Sequence, residues 1–441
     1  MFDFSTVHDR RRWSATKWVK YRDQRIIPLW IADMDFAVAP AIQAALAAQV
    51  AHGNFGYMSA PHDLRQVLVE DHRRRYGWEV DPAWIVWLSG LVLGINLAIK
   101  ACCAAQEKVI SFSPVYPPFL KAPGLQGRGL VEVPLKRIGA VGTDYVIDFD
   151  RLEAVMSEPP DATTPAVPGD ASTATRLLLL CHPHNPIGRL FTRAELDRLA
   201  AFCERHDLYV CSDEVHCDLI LDEKVPHLPF ARVMAERSPA LLQRTITLNG
   251  QGKTYNIAGL GIAWAIIPDA GLRTRFKIAM QGLVPDACCF GFTAAQAAFA
   301  EGEPWRLALL AQLRSNRDLV SAALDRMQLP HSHPEATYLT WIDARALAEQ
   351  VGNAATWFEE HGVGLSDGAD FGQPGYVRLN FATPPRLLQE ALARMESALA
   401  RYRQAAPPIT AESAGSSVQT HPRRRRQPCL QEKASPAALP H

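Results

Sequence analysis

A glycine-rich turn with a single lysine, placed between two apolar segments, most constrains the fold and function of this chain. Residues Thr245 to Ile267 read TITLNGQGKTYNIAGLGIAWAII. The apolar, β-branched ends of this segment predict two buried strands. Lys253 lies in the turn between them, where desolvation lowers the pKa of an amine and makes it a nucleophile and a base. A solvated loop lysine is the alternative interpretation.

Apolar strands alternate with helices in the region that precedes this turn. The runs LLLLC and LYVCSDE are short and fully apolar at their cores, and between them Thr192–Glu195 has the pattern of a capping box that begins a helix. This alternation predicts a parallel sheet with both faces covered. In such folds ligands bind at the loops beyond the carboxyl ends of the strands. Candidate residues fall in those loops: Ser89–Gly90, Tyr116, Asn185, Asp213 and Lys253.

The composition is that of a globular protein with no preference for nucleic acid or a membrane surface. Of 441 residues, 48% are hydrophobic, and 46 Lys and Arg balance 46 Asp and Glu. The N-terminus lacks an apolar signal segment, and the nine cysteines show no CxxC spacing. We therefore expect a cytoplasmic protein. The pairs His182/His184 and His331/His333 lack a third ligand, so we expect no metal site.

The chain divides by composition into four regions. We predict an N-terminal segment, 1–50, that joins a small domain; a large α/β domain, 51–285; a small α+β domain, 286–404; and a disordered tail, 405–441. Residues 157–175 are rich in Pro, Ala and Thr and predict a disordered insertion. The basic run Arg423–Arg426 is either part of an inert tail or a weak polyanion-binding arm. The three prolines of PVYPPF, at 114–119, predict irregular structure.

The candidate residues suit an aldehyde cofactor with a pyridine ring. Lys253 offers an amine for a Schiff base, and Asp213, at the end of a buried strand, offers an anion for the ring nitrogen. Gly90-Leu91-Val92 begins a helix whose backbone N–H groups suit a phosphate.

Seven ordered motifs then identify a family resemblance: PLWIADMDF, FGY, PVYPPF, LLLLCHPHNPIGR, VCSDEVHCDL, GKTYNIAGL and VRLNFATP. From Phe2 to about Ala400 the chain resembles the fold-type I pyridoxal-phosphate enzymes of the class I/II aminotransferase superfamily, and within it the cystathionine β-lyase (C–S lyase) branch. The resemblance implies an α/β fold with a large domain of mostly parallel sheet between helices and a smaller α+β domain. It implies pyridoxal 5'-phosphate as the cofactor.

The resemblance also implies roles around the cofactor ring. Lys253 would hold the cofactor aldehyde covalently, and Asp213 would pair with the ring nitrogen. Asn185 would hydrogen-bond the ring hydroxyl, and Tyr116 would stack on the ring. His216 lies where relatives often have a tyrosine.

Further roles follow for the phosphate, the substrate and a second subunit. Gly90 and Leu91 would offer backbone amides to the phosphate. Arg378 would bind the substrate carboxylate with its planar fork, and Asp33 would line the substrate pocket. Tyr57 would reach into the site of a second subunit, which implies a homodimer.

The sequence departs from the family at three glycines around the lysine. Relatives usually have serine just before the lysine and often three residues before it, where Gly252 and Gly250 stand here, and many aminotransferases have arginine where Gly261 stands. We expect the missing hydroxyls to weaken cofactor binding. A left-handed backbone at Gly252 would be a separate reason for glycine there.

The resemblance implies a β-lyase that cleaves L-cystathionine or a related cysteine S-conjugate to a thiol, pyruvate and ammonia. Two alternatives stay open from the sequence. One is an aminotransferase, in which the same carbanion is reprotonated on the cofactor. The other is a regulatory protein that uses this scaffold to bind a partner.

Overall fold

The computed structural model describes residues 2–21, 23, 25–139, 142–157 and 174–405. The interior of the predicted insertion, the predicted tail beyond 405 and the run Arg423–Arg426 therefore lie outside the described residues. The two end residues of the predicted insertion belong to regular structure: Ser157 is the last residue of a helix, and Thr175 is the first residue of a strand.

The helices of the described residues run in chain order as follows: α1 Thr16–Val19, α2 Pro40–His52, α3 His62–Tyr76, α4 Leu91–Cys102, α5 Pro117–Leu125, α6 Phe149–Ser157, α7 Arg193–Arg205, α8 Phe230–Arg237, α9 Pro239–Leu242, α10 Ala270–Met280, α11 Cys289–Glu301, α12 Glu303–Arg326, α13 Arg345–Val351, α14 Ala354–Glu360 and α15 Pro385–Ala405. Thr192 caps α7 in a capping box with Glu195, as predicted. None of these helices is long and apolar enough to cross a membrane.

The strands of the described residues are β1 Ile27–Pro28, β2 Ile85–Leu88, β3 Lys108–Ser113, β4 Gly129–Pro134, β5 Lys136–Ile138, β6 Asp144–Val146, β7 Thr175–Cys181, β8 Tyr209–Asp213, β9 Thr245–Asn249, β10 Ala263–Ile266, β11 Leu339–Asp343, β12 Val363–Gly364, β13 Ser366–Asp367 and β14 Tyr376–Asn380. The two strands predicted on either side of Lys253 are β9 and β10, and both are fully buried.

A mixed sheet of seven strands forms the centre of the fold, in the order β2-β10-β9-β8-β7-β3-β4. Strands β9, β8, β7, β3 and β4 run parallel to one another. Strand β10 is antiparallel to both of its neighbours, β9 and β2. The prediction of a mostly parallel sheet is confirmed. Since β9 and β10 are antiparallel, the chain reverses between them, and Lys253 lies in that reversal.

Helices cover both faces of this sheet. Because alternate residues of a strand point to opposite faces, each central strand contributes to the hydrophobic cluster on both sides. Leu177 and Leu179 of β7 belong to one hydrophobic cluster with Leu97 of α4. Leu178 and Leu180 belong to the other cluster, which includes residues of α7 and α8. This arrangement explains why β7 is continuously apolar and buried from Leu177 to Cys181.

A second, smaller sheet of three antiparallel strands, β11-β14-β13, follows later in the chain. The register of this sheet places Arg378 opposite Trp341 on one side and Ser366 on the other. Residues up to Leu399 form one compact unit, and the predicted domain boundaries at 50, 285 and 404 stay a prediction.

The prediction for PVYPPF is wrong in its second half. Helix α5 begins at Pro117, and Tyr116 is its N-cap residue. Proline lacks an N–H group, but the first turn of a helix does not need one, so consecutive prolines are tolerated there.

Candidate active site

A cavity of about 680 Å³ opens at the carboxyl ends of the central strands. This volume is in the range that is usual for small-molecule sites. Of the ten residues to which the sequence assigned a role, nine line the cavity: Asp33, Gly90, Leu91, Tyr116, Asn185, Asp213, His216, Lys253 and Arg378. The strand-end rule explains why loop residues that follow strands of the central sheet, such as Asn185 and Lys253, come together. Asp33 and Arg378 reach the cavity from segments outside that sheet.

Lys253 lies inside the cavity in the turn between β9 and β10. Its Nζ donates a hydrogen bond to the carbonyl oxygen of Ala32 at 2.6 Å. Burial lowers the pKa of this amine to about 8, the positive charge of Arg378 adds to the effect, and Asp33 and Asp213 oppose it. A lysine with such a pKa is partly neutral near pH 8, which is the form that acts as a nucleophile or takes up a proton.

Asp213 is the last residue of β8 and faces the cavity from the middle of the sheet. One carboxylate oxygen accepts a hydrogen bond from the backbone N–H of Val215 at 3.1 Å. Burial raises the pKa of this carboxyl to about 6, although the Val215 N–H and the charge of Lys253 lower it. The site therefore holds a carboxylate that a cationic ligand would stabilise.

Arg378 is a buried arginine on β14 with no carboxylate partner among the described residues. Its Nη1 donates to the amide oxygen of Asn185 at 2.9 Å, and one Nη2 hydrogen bond goes to the carbonyl oxygen of Trp30 at 2.7 Å. Its Nε is buried without a partner. Burial lowers the pKa of this guanidinium to about 10. A buried cation that lacks a counter-ion indicates a site for an anionic ligand.

His216 and Tyr116 also line the cavity. Burial, together with the charges of Lys253 and Arg378, lowers the pKa of His216 far below its usual value, so its imidazole is neutral. The Nδ1 atom of His216 is buried and has no hydrogen-bond partner. Burial raises the pKa of the Tyr116 hydroxyl, which therefore stays protonated.

The N-terminus of α4 forms one wall of the cavity. Its N-cap residue, Gly90, has no side chain with which to cap the helix. The first N–H groups of a helix lack intrahelical acceptors and carry the positive end of its dipole. Gly90 and Leu91 therefore present backbone donors that suit an anion such as a phosphate.

Asp33 lines the cavity, but its carboxylate is held by Arg10 in two hydrogen bonds of 2.7 and 3.2 Å. Arg10 also binds Asp35, which is buried and accepts 2.7 Å hydrogen bonds from Arg10 and Lys17. We call Arg10, Lys17, Asp33 and Asp35 the N-terminal charge cluster. The sequence did not identify Arg10 or Lys17, because this segment has no periodic pattern.

Side chains from distant elements hold the backbone of residues 31–36 across the cavity. Asn256 accepts from the N–H of Met34 and donates to two carbonyls of this segment at 2.9 and 3.1 Å. Asn380 donates to two more, at 2.6 and 2.7 Å, and Tyr338 donates to the carbonyl of Ala32 at 3.0 Å. These three residues position the carbonyl that Lys253 contacts. Asn256 and Asn380 belong to the motifs GKTYN and VRLN, and their presence in those motifs was the sequence signal that could have identified them.

Tyr57 is the one predicted site residue that does not line the cavity. It lies in the loop between α2 and α3 and is fully exposed. Phe55 of the same loop is half-exposed and contacts Phe290 of α11, with ring centroids 5.5 Å apart. In this chain alone, Tyr57 has no role in the cavity.

The structure separates the two glycines that replace serine in relatives. Gly252 lines the cavity, whereas Gly250 is buried and does not. Neither has a left-handed backbone, so the suggestion that Gly252 needs one is wrong. Gly261 does have a left-handed backbone, with φ of 61°.

The histidine pairs lie outside the cavity. Both ring nitrogens of His184 bond backbone carbonyls, at 2.8 and 3.1 Å, and Nδ1 of His331 bonds the carbonyl of Leu329 at 2.9 Å. Within the part of the chain that the structure describes, no group of three or more His, Cys, Asp or Glu could hold a metal ion.

Comparison with known proteins decides the family. The model of the family described as aminotransferase class I and II matches residues 25–395. The chain belongs to this family. Cystathionine β-lyase PatB of Bacillus subtilis is 32% identical over 410 residues, which cover 90% of this chain and 100% of PatB.

Solved structures of the aminotransferase class I and II fold superpose on most of the chain. The crystal structure of OvoB is 43% identical with a TM-score of 0.82, and the match covers 90% of this chain and 99% of OvoB. Cystalysin from Treponema denticola, whose structure contains pyridoxal 5'-phosphate, is 27% identical with a TM-score of 0.81, and the match covers 91% of this chain and 100% of cystalysin. The fold is thus that of fold-type I pyridoxal-phosphate enzymes.

Proposed function

We propose that this protein is a pyridoxal-phosphate-dependent carbon–sulfur β-lyase that cleaves L-cystathionine or a related cysteine S-conjugate. The single observation that carries the proposal is a lysine of lowered pKa in the same cavity as a buried arginine without a counter-ion. An amine and an anion-binding fork side by side suit an α-amino acid. The likeness to cystathionine β-lyase PatB favours a thioether amino acid as the substrate.

The residues of the cavity fit pyridoxal phosphate. Lys253 offers the amine for its aldehyde, and Asp213, whose pKa is raised by burial, gains most from a protonated ring nitrogen beside it. Asn185 and Tyr116 line the same cavity, where they would hydrogen-bond the ring hydroxyl and stack on the ring face. The uncapped α4 N-terminus at Gly90 suits the phosphate.

His216 adds an uncommitted donor or acceptor to this set. Its Nδ1 is buried without a partner, and a bound ligand would satisfy it. When bound, the cofactor supplies an electron sink for the electron pair that is left on Cα after deprotonation.

The protein's own residues bind the substrate and move its proton. Arg378 binds the α-carboxylate through its planar fork, which fixes the orientation of the Cα–H bond. Lys253, with a pKa near the working pH, takes the proton from Cα and is oriented by the carbonyl of Ala32. Asp213 keeps a negative charge where the cofactor ring is positive. Loss of the Cβ thiolate, then uptake of water, gives the thiol, pyruvate and ammonia.

We also propose that the protein acts as a homodimer. Tyr57 is fully exposed, and Phe55 of the same loop and Val50 of the preceding helix are large apolar side chains that are more than half exposed. A surface of this kind marks a protein interface, and a second copy would bring Tyr57 to the neighbouring site. The eight described cysteines are free thiols, and six of them are buried, which suits a cytoplasmic protein.

The test is an assay with purified holoenzyme and L-cystathionine in the absence of any keto acid. We expect pyruvate, ammonia and free thiol in equal amounts. Lys253→Ala should abolish turnover and the visible absorbance of bound cofactor, whereas Lys277→Ala, at a lysine on α10 outside the cavity, should change neither. Strict dependence on added 2-oxoglutarate or pyruvate would instead establish an aminotransferase. No turnover under either condition would favour a regulatory, partner-binding role.

A further inference from the structure

Besides the predicted residues, the cavity is lined by parts of two helices and by charged groups of which only Asp33 was predicted. We call this part of the cavity its outer end. Helix α1 contributes Thr16 and, at its C-cap, Lys20 to this end, and α14 contributes Ala355, Thr356 and Glu359. Asp33, Asp367 and Asp370 complete its charged groups. The outer end therefore contains one cation and four carboxylates.

Most of these charges already have partners in the protein. Asp33 binds Arg10. Asp367 accepts a hydrogen bond from the side-chain amide of Asn353 at 2.6 Å and another from the N–H of Ala369 at 3.0 Å. Asp370 lies 4.0 Å from Lys121. Among the charged side chains at this end, only those of Lys20 and Glu359 form neither an ion pair nor a hydrogen bond within the described residues.

Lys20 and Glu359 both lie close to Tyr21. The Lys20 ammonium is 4.3 Å from the ring centroid of Trp30 and 5.0 Å from that of Tyr21. These aromatic faces hold the cation at the outer end of the cavity without neutralising it. The Tyr21 hydroxyl is buried without a partner, and after burial the negative charge of Glu359 is the second cause that raises its pKa. A cation and an anion that have no ion-pair partner among the described residues thus lie close to one side chain.

We propose that Lys20 and Glu359 form a distal subsite for a zwitterion, the second amino-acid group of a thioether substrate. Lys20 binds the distal carboxylate and Glu359 binds the distal ammonium. The inference rests on the proposed function, because it assigns the substrate's far end once Arg378 holds its near carboxylate. A substrate with an α-amino-acid group at both ends gives Arg378 a charged partner at one end and Lys20 and Glu359 charged partners at the other.

The experiment compares four cysteine S-conjugates with the holoenzyme. S-methyl-L-cysteine has a neutral distal group, S-(2-carboxyethyl)-L-cysteine an anion, S-(2-aminoethyl)-L-cysteine a cation, and L-cystathionine both. The measured quantity is kcat/KM for each charged conjugate divided by kcat/KM for the neutral one. This ratio cancels effects on the common chemistry of Cα and Cβ.

Each substitution has its own expected pattern. Lys20→Met should lower the ratio for the anionic conjugate and for cystathionine about two- to fivefold, as expected for partly exposed ion pairs, and should not lower it for the cationic one. Glu359→Gln should lower the ratio for the cationic conjugate and for cystathionine, and not for the anionic one. Higher salt should weaken both preferences.

Matched controls are available at exposed residues of the same charge. Glu360→Gln removes the exposed neighbour of Glu359, and Lys100→Met removes an exposed lysine at the end of α4; neither residue lines the cavity. Both controls should leave the ratios unchanged. If Lys20→Met and Glu359→Gln lower kcat/KM for all four conjugates equally, or change no ratio, the distal subsite does not exist.

Failure of the proposed function gives a different result. If the unchanged protein cleaves none of the conjugates, the same ratios can be measured as binding constants from the absorbance change of the bound cofactor. Charge-specific loss of binding would then support the subsite without lyase activity, and its absence would overturn the subsite as well.

Discussion

Two groups of charged side chains differ in how the free-energy cost of their burial is offset. In the N-terminal charge cluster, Lys17 and Asp35 form a 2.7 Å ion pair, and Arg10 joins Asp35 to Asp33. In the cavity, Lys253, Asp213 and Arg378 form no ion pair with one another or with other described residues. The first group is complete in itself, and the second is not.

The two buried aspartates show the consequence. Burial raises the pKa of Asp35, but Lys17, Trp18 and Arg10 outweigh that effect, and the pKa is lowered overall. Burial likewise raises the pKa of Asp213, and there it prevails, giving a value of about 6. The N-terminal charge cluster thus stabilises the folded chain, whereas the cavity charges destabilise it until ligands arrive. The pKa of the structural aspartate, Asp35, is thus lowered, whereas the pKa of the cavity aspartate, Asp213, is raised, and this difference distinguishes the two groups.

Breaking the N-terminal charge cluster should produce the largest loss of stability. Asp35→Asn leaves the buried ammonium of Lys17 with only the more distant carboxylate of Asp33, at 3.7 Å, as a charged partner. We therefore expect the unfolding free energy to fall by about 3 kcal/mol at pH 7. Because the pKa of Asp35 is lowered by folding, this contribution is present above the ordinary aspartate pKa and is lost as the pH falls through the folded value. Urea unfolding of the two proteins at several pH values measures it.

The control for this substitution is Asp9→Asn, at an exposed aspartate of the same segment. It should change stability by no more than about 0.5 kcal/mol. Equal stability of the Asp35→Asn and unchanged proteins at pH 7 would mean that the cluster is not a stabilising element.

Arg378→Lys should affect catalysis more than folding. Lysine keeps the charge but loses the planar fork and its contact with Asn185. The transition state should therefore lose about 1.5–3 kcal/mol of stabilisation, and kcat/KM should fall about ten- to a hundredfold. Thermal unfolding should change little, because the arginine has no counter-ion to lose. Arg345→Lys, at an arginine outside the cavity, is the control and should leave kcat/KM unchanged. Unaltered kinetics for Arg378→Lys would remove Arg378 from the site.

Asp213→Asn should have the opposite sign from Asp35→Asn when the cofactor is absent. The folded pKa of about 6 is above the ordinary value, so ionised Asp213 destabilises the fold fully above pH 6 and progressively less below it. Asparagine removes this cost, and we expect the apoprotein to gain about 1–3 kcal/mol at pH 8 and nothing near pH 4. Urea unfolding of both apoproteins checks this. A loss of stability at pH 8 would contradict the contrast between the two groups.

The sequence predicts the cavity better than it predicts the N-terminal charge cluster. Asp213 and Asn185 follow apolar strands, and the rule that parallel strands end at one edge brought them together. Arg10, Lys17 and Asp35 belong to a segment whose described residues form only a helix of four residues and a strand of two. Their pairing depends on how that segment folds back over the sheet, which no local pattern encodes.

Other differences have local physical causes. The left-handed backbone of Asn256, with φ of 57°, turns its amide towards residues 34–36, and a sequence shows no backbone angle. Tyr57 was assigned through the family resemblance, and its role depends on a second chain. Gly250 and Gly252 are two residues apart, yet only Gly252 lines the cavity.

The smallest expected effect concerns Gly252, which offers the cavity no hydroxyl where relatives have serine. Because Gly250 does not line the cavity, at most one of the two hydroxyls is missing from the phosphate site. The backbone at Gly252 is not left-handed, so a side chain meets no conformational barrier there. An added Cβ would lie 3.2 Å from Cα and 3.4 Å from Cβ of Ala258, so Ala258 must move by a few tenths of an ångström.

Gly252→Ser should therefore retain cofactor only slightly better. A hydrogen bond to a charged group favours binding, and the crowding at Ala258 opposes it, which leaves a net gain of about 1 kcal/mol, or about fivefold in cofactor affinity. Gly252→Ala separates the two terms, since it adds the same Cβ without a hydroxyl and should retain cofactor no better than the original. Cofactor retained over time in dialysis measures all three proteins. If serine and alanine behave alike, the hydroxyl does not reach the phosphate, and the backbone donors at Gly90 and Leu91 are sufficient without it.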